Sequence, residues 1–409
     1  MSSQSKSMSS QTKVIIVGAG VAGPVLGMFL KSKGYQVVIY ERIKRNSDGG
    51  LSLMIQPNGF RVLSLLPGIV DKLPGKQINR MSLLSTVPGD EGEISEIDVE
   101  GGLGVGVRRH EFLALLQQNA LDSGVEIYWE SKVVDVQSQA ESVVVTLENG
   151  KTDVASFVVG CDGLHSNTRI ALFGEEEASF TGLAQMGGTT TLEEPLTKVP
   201  TMINFFGEGA HIITYAVDDH NKYSWAITRQ EPETKEGWRA VDDSLLDQMR
   251  QDPCSQWGMG AGELVRKAQK IIKYGLYDRP ELKTWYKGRV VLLGDSAHPT
   301  SPHLGQGANQ AFEDIYHLVR VLIKYNPEAA SPSTETLEAI FQEYERIRIP
   351  RSAALVKGAR RMGESRVVIG HEASIQRNAQ LRDYYKEHGL PWEGFSVLTK
   401  GPYEGESEI

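Results

Sequence analysis

Cysteine is scarce in this chain, which has only Cys161 and Cys254 among 409 residues. Two cysteines cannot form the disulfide framework of a small secreted protein, so we expect a reducing compartment and, by default, a cytoplasmic protein. No stretch approaches the ~20 consecutive apolar residues of a membrane-spanning helix. The opening segment, Met1–Lys13, is rich in Ser and Gln and has no apolar core. This composition predicts a disordered tail and not a signal peptide.

Positive charge is also in the minority. The chain has 43 Lys and Arg against 52 Asp and Glu, a net charge of −9 at pH 7. Nucleic-acid-binding proteins need a basic face or stripe, so no nucleic-acid partner is expected. Hydrophobic residues make up 40% of the chain, as in ordinary globular proteins, and the length allows two or three domains. We find no internal repeat and predict no metal site.

A glycine-rich turn follows the first apolar run of the chain, residues 14–17. The turn, Gly18-Ala19-Gly20-Val21-Ala22-Gly23, opens a helical pattern that ends near Gly34. A second apolar run, residues 37–40, leads into Glu41, eighteen residues after Gly23. Strand, turn, helix, strand and acid in this order form the context that a dinucleotide-binding fingerprint requires.

Each residue of this fingerprint has a separate task. Gly18 permits the tight turn, Gly20 lets a pyrophosphate approach the backbone, and Gly23 lets the helix pack closely on the strand. Glu41 would accept hydrogen bonds from the hydroxyls of an adenosine ribose. The alternative is a glycine-rich turn that binds no ligand, which the complete context disfavours.

A second ligand-binding pattern lies almost three hundred residues later. Residues 290–293 are apolar and predict a buried strand, which places Asp295 at the carboxyl end of the sheet. A carboxylate there suits a ribose or ribityl hydroxyl. After a proline-rich bend, residues 307–323 repeat apolar side chains at helical spacing. The glycine-rich start of this helix suits a partial negative charge on a ligand.

A third segment shows which family the chain resembles. Residues 158–169 run from a strand through Asp162-Gly163 to a helix start, in the pattern DGxxSxxR. Together with GxGxxG and a GDxAHPxxPxxGQGxNxxxxD segment, in this order over about residues 13–350, the chain resembles the class A flavoprotein monooxygenases, the para-hydroxybenzoate hydroxylase-like family. Arg109 resembles the arginine of the family's Arg-x-x-Leu segment, although Phe112 stands where Leu is usual and Arg108 is an adjacent candidate.

The resemblance implies that FAD is the cofactor and that NADH or NADPH binds transiently, since no second GxGxxG is present. In the family, reduced FAD and O2 form a C4a-hydroperoxyflavin, which transfers one oxygen atom to an aromatic or polycyclic small molecule. The residues expected to bind FAD are Gly18, Gly20, Gly23, Glu41, Arg109, Asp162, Asp295, Pro302, Gly305, Gly307, Ala308 and Asn309. The backbone amides near residues 304–308 would stabilise negative charge on the reduced flavin.

The expected fold class is α/β. Residues 13–75, 103–175 and 282–325 should form a discontinuous, doubly wound Rossmann-like FAD domain. Residues 76–102 and 176–281 should form an inserted, mostly antiparallel substrate domain, in which helices are predicted over 242–251 and 261–274. Residues 326–409 should form a C-terminal helical segment and a polar, acidic tail. The charge run in it (Arg346, Arg348, Arg351, Arg360 and Arg361) is interpreted as a solvated helix face.

A predicted hairpin supplies the candidate substrate-binding residues. If Val217 pairs with Lys222, then His211, Ile213 and Tyr215 share one face because side chains alternate along a strand. Tyr223, Trp225 and Ile227 then take the other face. Tyr215, His211 and a loop histidine, His303, are the catalytic candidates, and ordinary packing roles stay open for all three. Family members that bind aromatic acids place an arginine on the cofactor side of this hairpin, whereas Arg229 falls on the opposite parity. A benzoate-like anion is therefore disfavoured, and a larger, neutral aromatic or polycyclic natural product is expected to fit better.

Three other functions are compatible with parts of this pattern. The Trp-x-Trp-x-Ile-Pro signature of flavin-dependent halogenases is absent, since residues 225–228 are Trp-Ala-Ile-Thr. A flavin reductase or dehydrogenase without oxygen insertion is harder to separate from a monooxygenase. A non-enzymatic protein resembling the Rab-escort and GDP-dissociation-inhibitor proteins is disfavoured by the complete 294–309 segment.

Overall fold

The computed structural model describes residues 11–45, 47, 50–233, 239–240, 243–389 and 399–409. Most of the predicted N-terminal tail and residue 242 lie outside these ranges. The strands are β1 (Lys13–Val17), β2 (Gln36–Tyr40), β3 (Ser52–Ile55), β4 (Gly75–Ile78), β5 (Arg80–Ser85), β6 (Gly92–Asp98), β7 (Gly104–Arg108), β8 (Glu126–Tyr128), β9 (Val133–Ser138), β10 (Val143–Leu147), β11 (Thr152–Ala155), β12 (Phe157–Gly160), β13 (Ser179–Thr191), β14 (Thr201–Phe206), β15 (Ala210–Ala216), β16 (Lys222–Gln230), β17 (Arg239–Ala240), β18 (Lys270–Asp278), β19 (Tyr286–Lys287) and β20 (Val290–Leu292).

Nine α-helices accompany these strands in the described part of the chain. They are α1 (Ala22–Ser32), α2 (Pro57–Leu63), α3 (Arg109–Asp122), α4 (Asn167–Phe173), α5 (Asp243–Arg250), α6 (Ala261–Arg266), α7 (Gly307–Tyr325), α8 (Thr334–Arg366) and α9 (His371–His388). Short 3-10 turns span Val70–Lys72, Pro253–Gln256, Gly294–Ser296 and Pro302–Leu304.

A six-stranded sheet carries the three sequence motifs. Its order is β19-β20-β12-β1-β2-β8, and all neighbours run parallel except the β19–β20 pair. The four inner strands, β1, β2, β12 and β20, are mostly apolar and buried, as expected for parallel strands covered on both faces. The amide of Cys161 donates to the carbonyl of Val17, and that of Leu293 donates to Gly160, at 2.8 and 2.9 Å. These bonds join the carboxyl ends of β1, β12 and β20, so the three motifs meet at one edge.

An eight-stranded sheet has the order β17-β18-β13-β16-β15-β14-β5-β6 and is antiparallel except at the β14–β5 pair. The predicted hairpin is confirmed: His211 faces Thr228, and Tyr215 faces Ser224. Its loop is held by the Asp218 carboxylate, which accepts hydrogen bonds from the amides of His220 and Lys222 at 2.9 and 3.1 Å. Two further three-stranded sheets, β11-β10-β9 and β3-β7-β4, complete the α/β fold.

The helix predicted over residues 261–274 is wrong in its second half. The helix ends at Arg266, and residues 270–278 form β18, which pairs with β13. Ile271 and Ile272 are both buried, so this strand is covered on both faces and shows no simple alternation. A short apolar run of this kind cannot be assigned to helix or strand by periodicity, and pairing with the open edge of β13 decides it.

The prediction of a solvated arginine face on α8 is also wrong at Arg348. This side chain is fully buried and donates to Asp314 at 2.6 Å and to Glu313 at 2.8 Å. Arg351 is partly buried and pairs with Glu313 at 2.5 Å. The cause is tertiary: α8 packs along α7 through this face. Arg346, Arg360 and Arg361 are exposed, as expected.

The C-terminal residues 399–409 pack against the fold despite their polar composition. Tyr403 stacks on Tyr316 with ring centroids 5.0 Å apart, and Arg61 donates to the Gly401 carbonyl at 2.9 Å. Both cysteines are buried and free, and burial raises the pKa of each thiol. None of the helices described is long and apolar enough to cross a membrane.

The buried Arg348 pair generates a stability prediction. Arg348→Met should lower the free energy of unfolding by about 3–5 kcal/mol, because Asp314 and Glu313 lose the cation that compensates their buried charge. The measurement is denaturant unfolding of the purified protein. Arg346→Met, on an exposed position of the same helix, is the matched control and should change stability by less than about 0.5 kcal/mol. Equal stability of the two variants would contradict this role.

Candidate functional site

A cavity of about 1170 Å³ runs between the motif-bearing edge of the six-stranded sheet and the hairpin of the eight-stranded sheet. Pockets for single drug-sized ligands occupy about 300–1,000 Å³, so this cavity has room for a long ligand and a second small one. Residues of all three motifs line one end. Apolar side chains line the other end: Met81, Leu83, Leu103, Met202, Phe206, Ile213 and Leu381. We call these the motif end and the apolar end.

The three glycines of the first turn have different surroundings. A Cβ on Gly18 (φ +103°) would lie 2.6 Å from the Cys161 carbonyl oxygen, and one on Gly23 would lie 2.0 Å from that of Gly18. These two glycines are required by packing. A Cβ on Gly20 would meet no protein atom within 4 Å, and Gly20 lines the cavity. The backbone at Gly20 is therefore open to close approach by a ligand.

Glu41 lies at the end of β2 on the wall of the cavity. Its carboxylate accepts hydrogen bonds from the amide of Ala19 at 2.6 Å and from the amide of Ile43 at 2.8 Å. The acid thus joins the glycine turn to the second strand. Each oxygen keeps a further lone pair for a hydroxyl donor.

Asp162 lines the cavity, but its carboxylate is engaged by its own segment. Ser166 donates to one oxygen at 2.5 Å, and the amide and hydroxyl of Thr168 donate to the other at 2.9 and 3.0 Å. Burial raises its pKa, while these hydrogen bonds lower it. Arg169, the last residue of the DGxxSxxR pattern, pairs with Glu176 at 2.7 Å. Asp162 therefore shapes the turn that faces the cavity.

Asp295 and Arg109 face each other across the motif end. The Asp295 carboxylate is accessible from the cavity but is surrounded by protein atoms. Desolvation raises its pKa, and the charges of His298 and Arg109 act in the opposite direction. Burial lowers the pKa of Arg109, and Asp295 opposes that shift. Arg108 pairs with Glu111 and does not line the cavity, so Arg109 is the one of these two neighbours that reaches it.

The 302–309 segment contributes backbone and small side chains. Pro302, Gly305, Gly307 and Ala308 line the cavity, and α7 begins at Gly307. Gly305 has φ +62°, a conformation that favours glycine. Asn309 is turned away from the cavity: it accepts from the amide of Gln56 and donates to the carbonyl of Met54, each at 3.0 Å.

Two of the three catalytic candidates line the cavity, and the third lies behind its wall. Tyr215 lines the cavity, and its hydroxyl shares a 2.8 Å hydrogen bond with Ser52. His303 also lines the cavity, and burial lowers its pKa to about 3, so the ring is neutral at physiological pH. His211 lies one layer behind, bonded to Asn204 at 3.2 Å and packed edge-on against Phe206. Burial lowers the pKa of His211 well below its usual value.

Sequence reasoning missed the residues that hold this site in place. Asp314, the last residue of the third motif, accepts hydrogen bonds from the Gly294 amide at 2.9 Å and from His298 at 2.6 Å. Arg348 neutralises Asp314 from α8. The only available signal was the motif position of Asp314. Within the ranges described, no group of His, Cys, Asp and Glu side chains is arranged to hold a metal ion.

The comparisons with known proteins agree with the geometry. The model of the FAD binding domain family matches residues 11–359, and the chain belongs to this family. It is 27% identical to 3-amino-4-hydroxybenzoate 2-monooxygenase of Streptomyces cremeus, over 93% of this chain and 94% of that protein. It is 29% identical to 6-hydroxynicotinate 3-monooxygenase of Pseudomonas fluorescens, over 77% and 83%.

A solved structure shows the same fold. Klebsiella pneumoniae HpxO, complexed with FAD and uric acid, superposes with a TM-score of 0.79 at 22% identity and covers 95% of this chain and 96% of that one. The chain is an FAD-dependent monooxygenase that uses NAD(P)H as reductant. The alternative of a reductase without oxygen insertion is not supported.

The residues at the motif end fit FAD. The open backbone at Gly20 would admit a pyrophosphate, and the carboxylates of Glu41 and Asp295 would accept hydrogen bonds from ribose and ribityl hydroxyls. The N-terminus of α7 adds a partial positive charge at the inner part of the cavity.

Gly20→Val generates a test of this fit. The branched side chain would occupy the space left open for the pyrophosphate, so the purified protein should lose most of its FAD. The measurement is the ratio of flavin absorbance to protein absorbance after purification. Gly258→Val is the matched control, since its Cβ also meets no atom within 4 Å but lies outside the cavity. A Gly20→Val protein with full FAD content would contradict the assignment.

Asp295→Ala should weaken FAD retention less than Gly20→Val does, by roughly 1.5–3 kcal/mol for one charge-assisted hydrogen bond.

Proposed function

We propose that this enzyme transfers one oxygen atom from O2 to a small aromatic substrate held at the apolar end of the cavity, while FAD lies along the motif end. One observation carries the proposal: a single continuous cavity joins the three cofactor motifs to the substrate-facing side of the hairpin. The two relatives named above are monooxygenases of a substituted benzoate and a hydroxynicotinate, which supports an aromatic substrate.

We place the parts of FAD by the chemistry of the wall. Gly20, just before α1, would hold the pyrophosphate, Glu41 would hold the adenosine ribose, and Arg109 and Asp295 would hold the ribityl chain. Pro302 and the first turn of α7 would then contact the ring system. The six-stranded sheet is thus the core of the FAD domain, and the eight-stranded sheet is the substrate domain.

FAD, when bound, supplies the redox chemistry that activates O2 after reduction by NAD(P)H. The protein supplies position and charge. The amides at the start of α7, with the helix dipole behind them, stabilise negative charge next to Gly307 and Ala308. The apolar walls exclude water from the reacting region, which strengthens these interactions. NAD(P)H binds transiently, without a nucleotide-binding motif of its own.

Tyr215 is the strongest candidate for direct contact with the substrate. Its hydroxyl begins a hydrogen-bonded chain through Ser52 to Ser224, with distances of 2.8 and 2.7 Å. Because Ser52 donates to Ser224, the Tyr215 hydroxyl donates to Ser52 and keeps its oxygen available to accept a hydrogen bond from the substrate. We assign His211 a positioning role, because it orients Asn204 from behind. We assign His303 a packing role, because its neutral ring lies against Gly363 of α8.

Turnover tests the proposed function. Oxidation of NADH or NADPH should be slow with the holoenzyme alone and rise when an aromatic substrate binds, because a gated site couples reduction to occupancy. The product should carry one oxygen atom from isotopically labelled O2, as detected by mass spectrometry. A catalase control separates this product from hydrogen peroxide leakage. Fast oxidation of both nucleotides with no substrate effect and no labelled product would contradict a monooxygenase.

The two faces of the hairpin predict opposite phenotypes. Tyr215→Phe should raise KM or lower kcat, because it breaks the chain to Ser52 at the cavity wall, while FAD content stays intact. Tyr223→Phe is the matched control on the other face, where the Tyr223 hydroxyl accepts from the Leu196 amide at 2.9 Å. It should act on stability alone, by about 0.5–1.5 kcal/mol. Kinetic defects in Tyr223→Phe with normal Tyr215→Phe kinetics would mean that the faces are exchanged.

A further inference from the structure

The apolar end of the cavity is closed by the junction of α8 and α9. Arg366, in the last turn of α8, and Arg377, in α9, both line the cavity there. The Nη1 atom of Arg377 donates to the backbone carbonyl of Arg366 at 3.0 Å, and the Nη1 atom of Arg366 donates to the backbone carbonyl of His303 at 2.9 Å. The Arg377 guanidinium is thus fixed to the backbone at the end of α8, and the Arg366 guanidinium is fixed to the loop that carries His303.

Neither arginine is ion-paired with a carboxylate of the described residues. Arg377 donates to the carbonyls of Gly207 and Arg366 and to the Asn378 amide oxygen, and its guanidinium lies over the Phe206 ring at 5.1 Å. Asp90 acts on Arg377 only at longer range, and it is paired with Arg382 at 2.7 Å. The Nε of Arg366 is buried without a hydrogen-bond partner among the described residues.

The two nearby histidines are neutral and add no further charge to the cluster. His211 and His303 lie close enough for Arg366 to disfavour their protonated forms, and both pKa values are lowered, mainly by burial. The cluster therefore carries two positive charges and two neutral rings. Burial lowers the pKa of Arg366 and of Arg377 to about 10, so both remain cationic at physiological pH.

Two other arginines of the described chain, in contrast, are neutralised by carboxylates. Arg348 is fully buried and has two carboxylates, and Arg229, on the far side of the hairpin sheet, pairs with Glu231 and Asp252 at 2.6 and 2.5 Å. An uncompensated buried charge is costly, and the cost is removed when an anion binds. No described residue brings that anion to Arg366, so a ligand in the cavity can supply it.

We propose that Arg366, supported by Arg377, binds a carboxylate of the aromatic substrate. The planar guanidinium edge matches a carboxylate, and the apolar walls strengthen the pairing. This inference rests on the proposed function and adds the charge of its substrate. It differs from the expectation drawn from the hairpin, where Arg229 points away, because the cations come from the helices and not from the sheet.

Binding to the oxidised holoenzyme, without reductant, tests the inference. A panel of aromatic acids (benzoate, 3-hydroxybenzoate, 3-amino-4-hydroxybenzoate and 6-hydroxynicotinate) and their matched primary amides is titrated against the flavin absorbance spectrum. We expect at least one acid to bind more tightly than its amide. Arg366→Gln should weaken that acid roughly ten- to hundredfold, the loss of one charge-assisted interaction, and change the amide less than about threefold.

Two further variants serve as controls for charge and for position on the helix. Arg366→Lys retains the charge and should recover part of the preference for the acid. Arg361→Gln, exposed on the same helix, should leave both ligands unaffected. Equal weakening of acid and amide in Arg366→Gln would overturn the inference, as would a panel in which no acid binds more tightly than its amide. Because no turnover is needed, these outcomes are separate from those that test oxygen transfer.

Discussion

The buried carboxylate of Asp314 is the interaction on which the site depends. It accepts hydrogen bonds from the Gly294 amide, the His298 ring and the Arg348 guanidinium, with donor–acceptor distances of 2.9 Å or less. The first two lie in the turn that carries Asp295, and the third lies in α8. A buried carboxylate is tolerated only when charge and hydrogen bonds compensate it. Here the compensation lowers its pKa to about 2 and fixes the turn, α7 and α8 relative to one another.

Helix α8 also links this buried ion pair to the apolar end of the cavity. From Arg348 to Arg366 is eighteen residues, or about 27 Å along a helix. Between them, α8 approaches the 302–305 loop through glycines: a Cβ on Gly363 would lie 2.4 Å from the His303 ring, and one on Gly358 would lie 3.6 Å from Leu304. The loop that borders the cofactor region is therefore pressed between α7 and α8. Its position follows from the Asp314–Arg348 pair at one end and the Arg366–His303 bond at the other.

Local patterns allowed much of this to be predicted from the sequence. The glycine turn and Glu41, the strand before Asp295, α7 and the hairpin register depend on neighbours within about thirty residues, so periodicity and turn chemistry suffice. The burial of Arg348 and the strand at 270–278 depend on partners far along the chain, on α7 and β13. Asn309 shows the same limit. Its place in the motif suggested a cofactor contact, whereas its amide joins Gln56 and Met54.

Arg348 and Arg366 lie on one helix, and their sequence contexts do not tell them apart. What separates them is where their counter-charge comes from. Arg348 receives its carboxylates from α7, so its pairing forms on folding and stabilises the protein. Arg366 receives none from the described chain and faces the cavity, so an anion bound there can complete its pairing. An electrostatic interaction left unmade by folding is available for recognition, and an apolar wall makes it selective for a ligand that carries the missing charge.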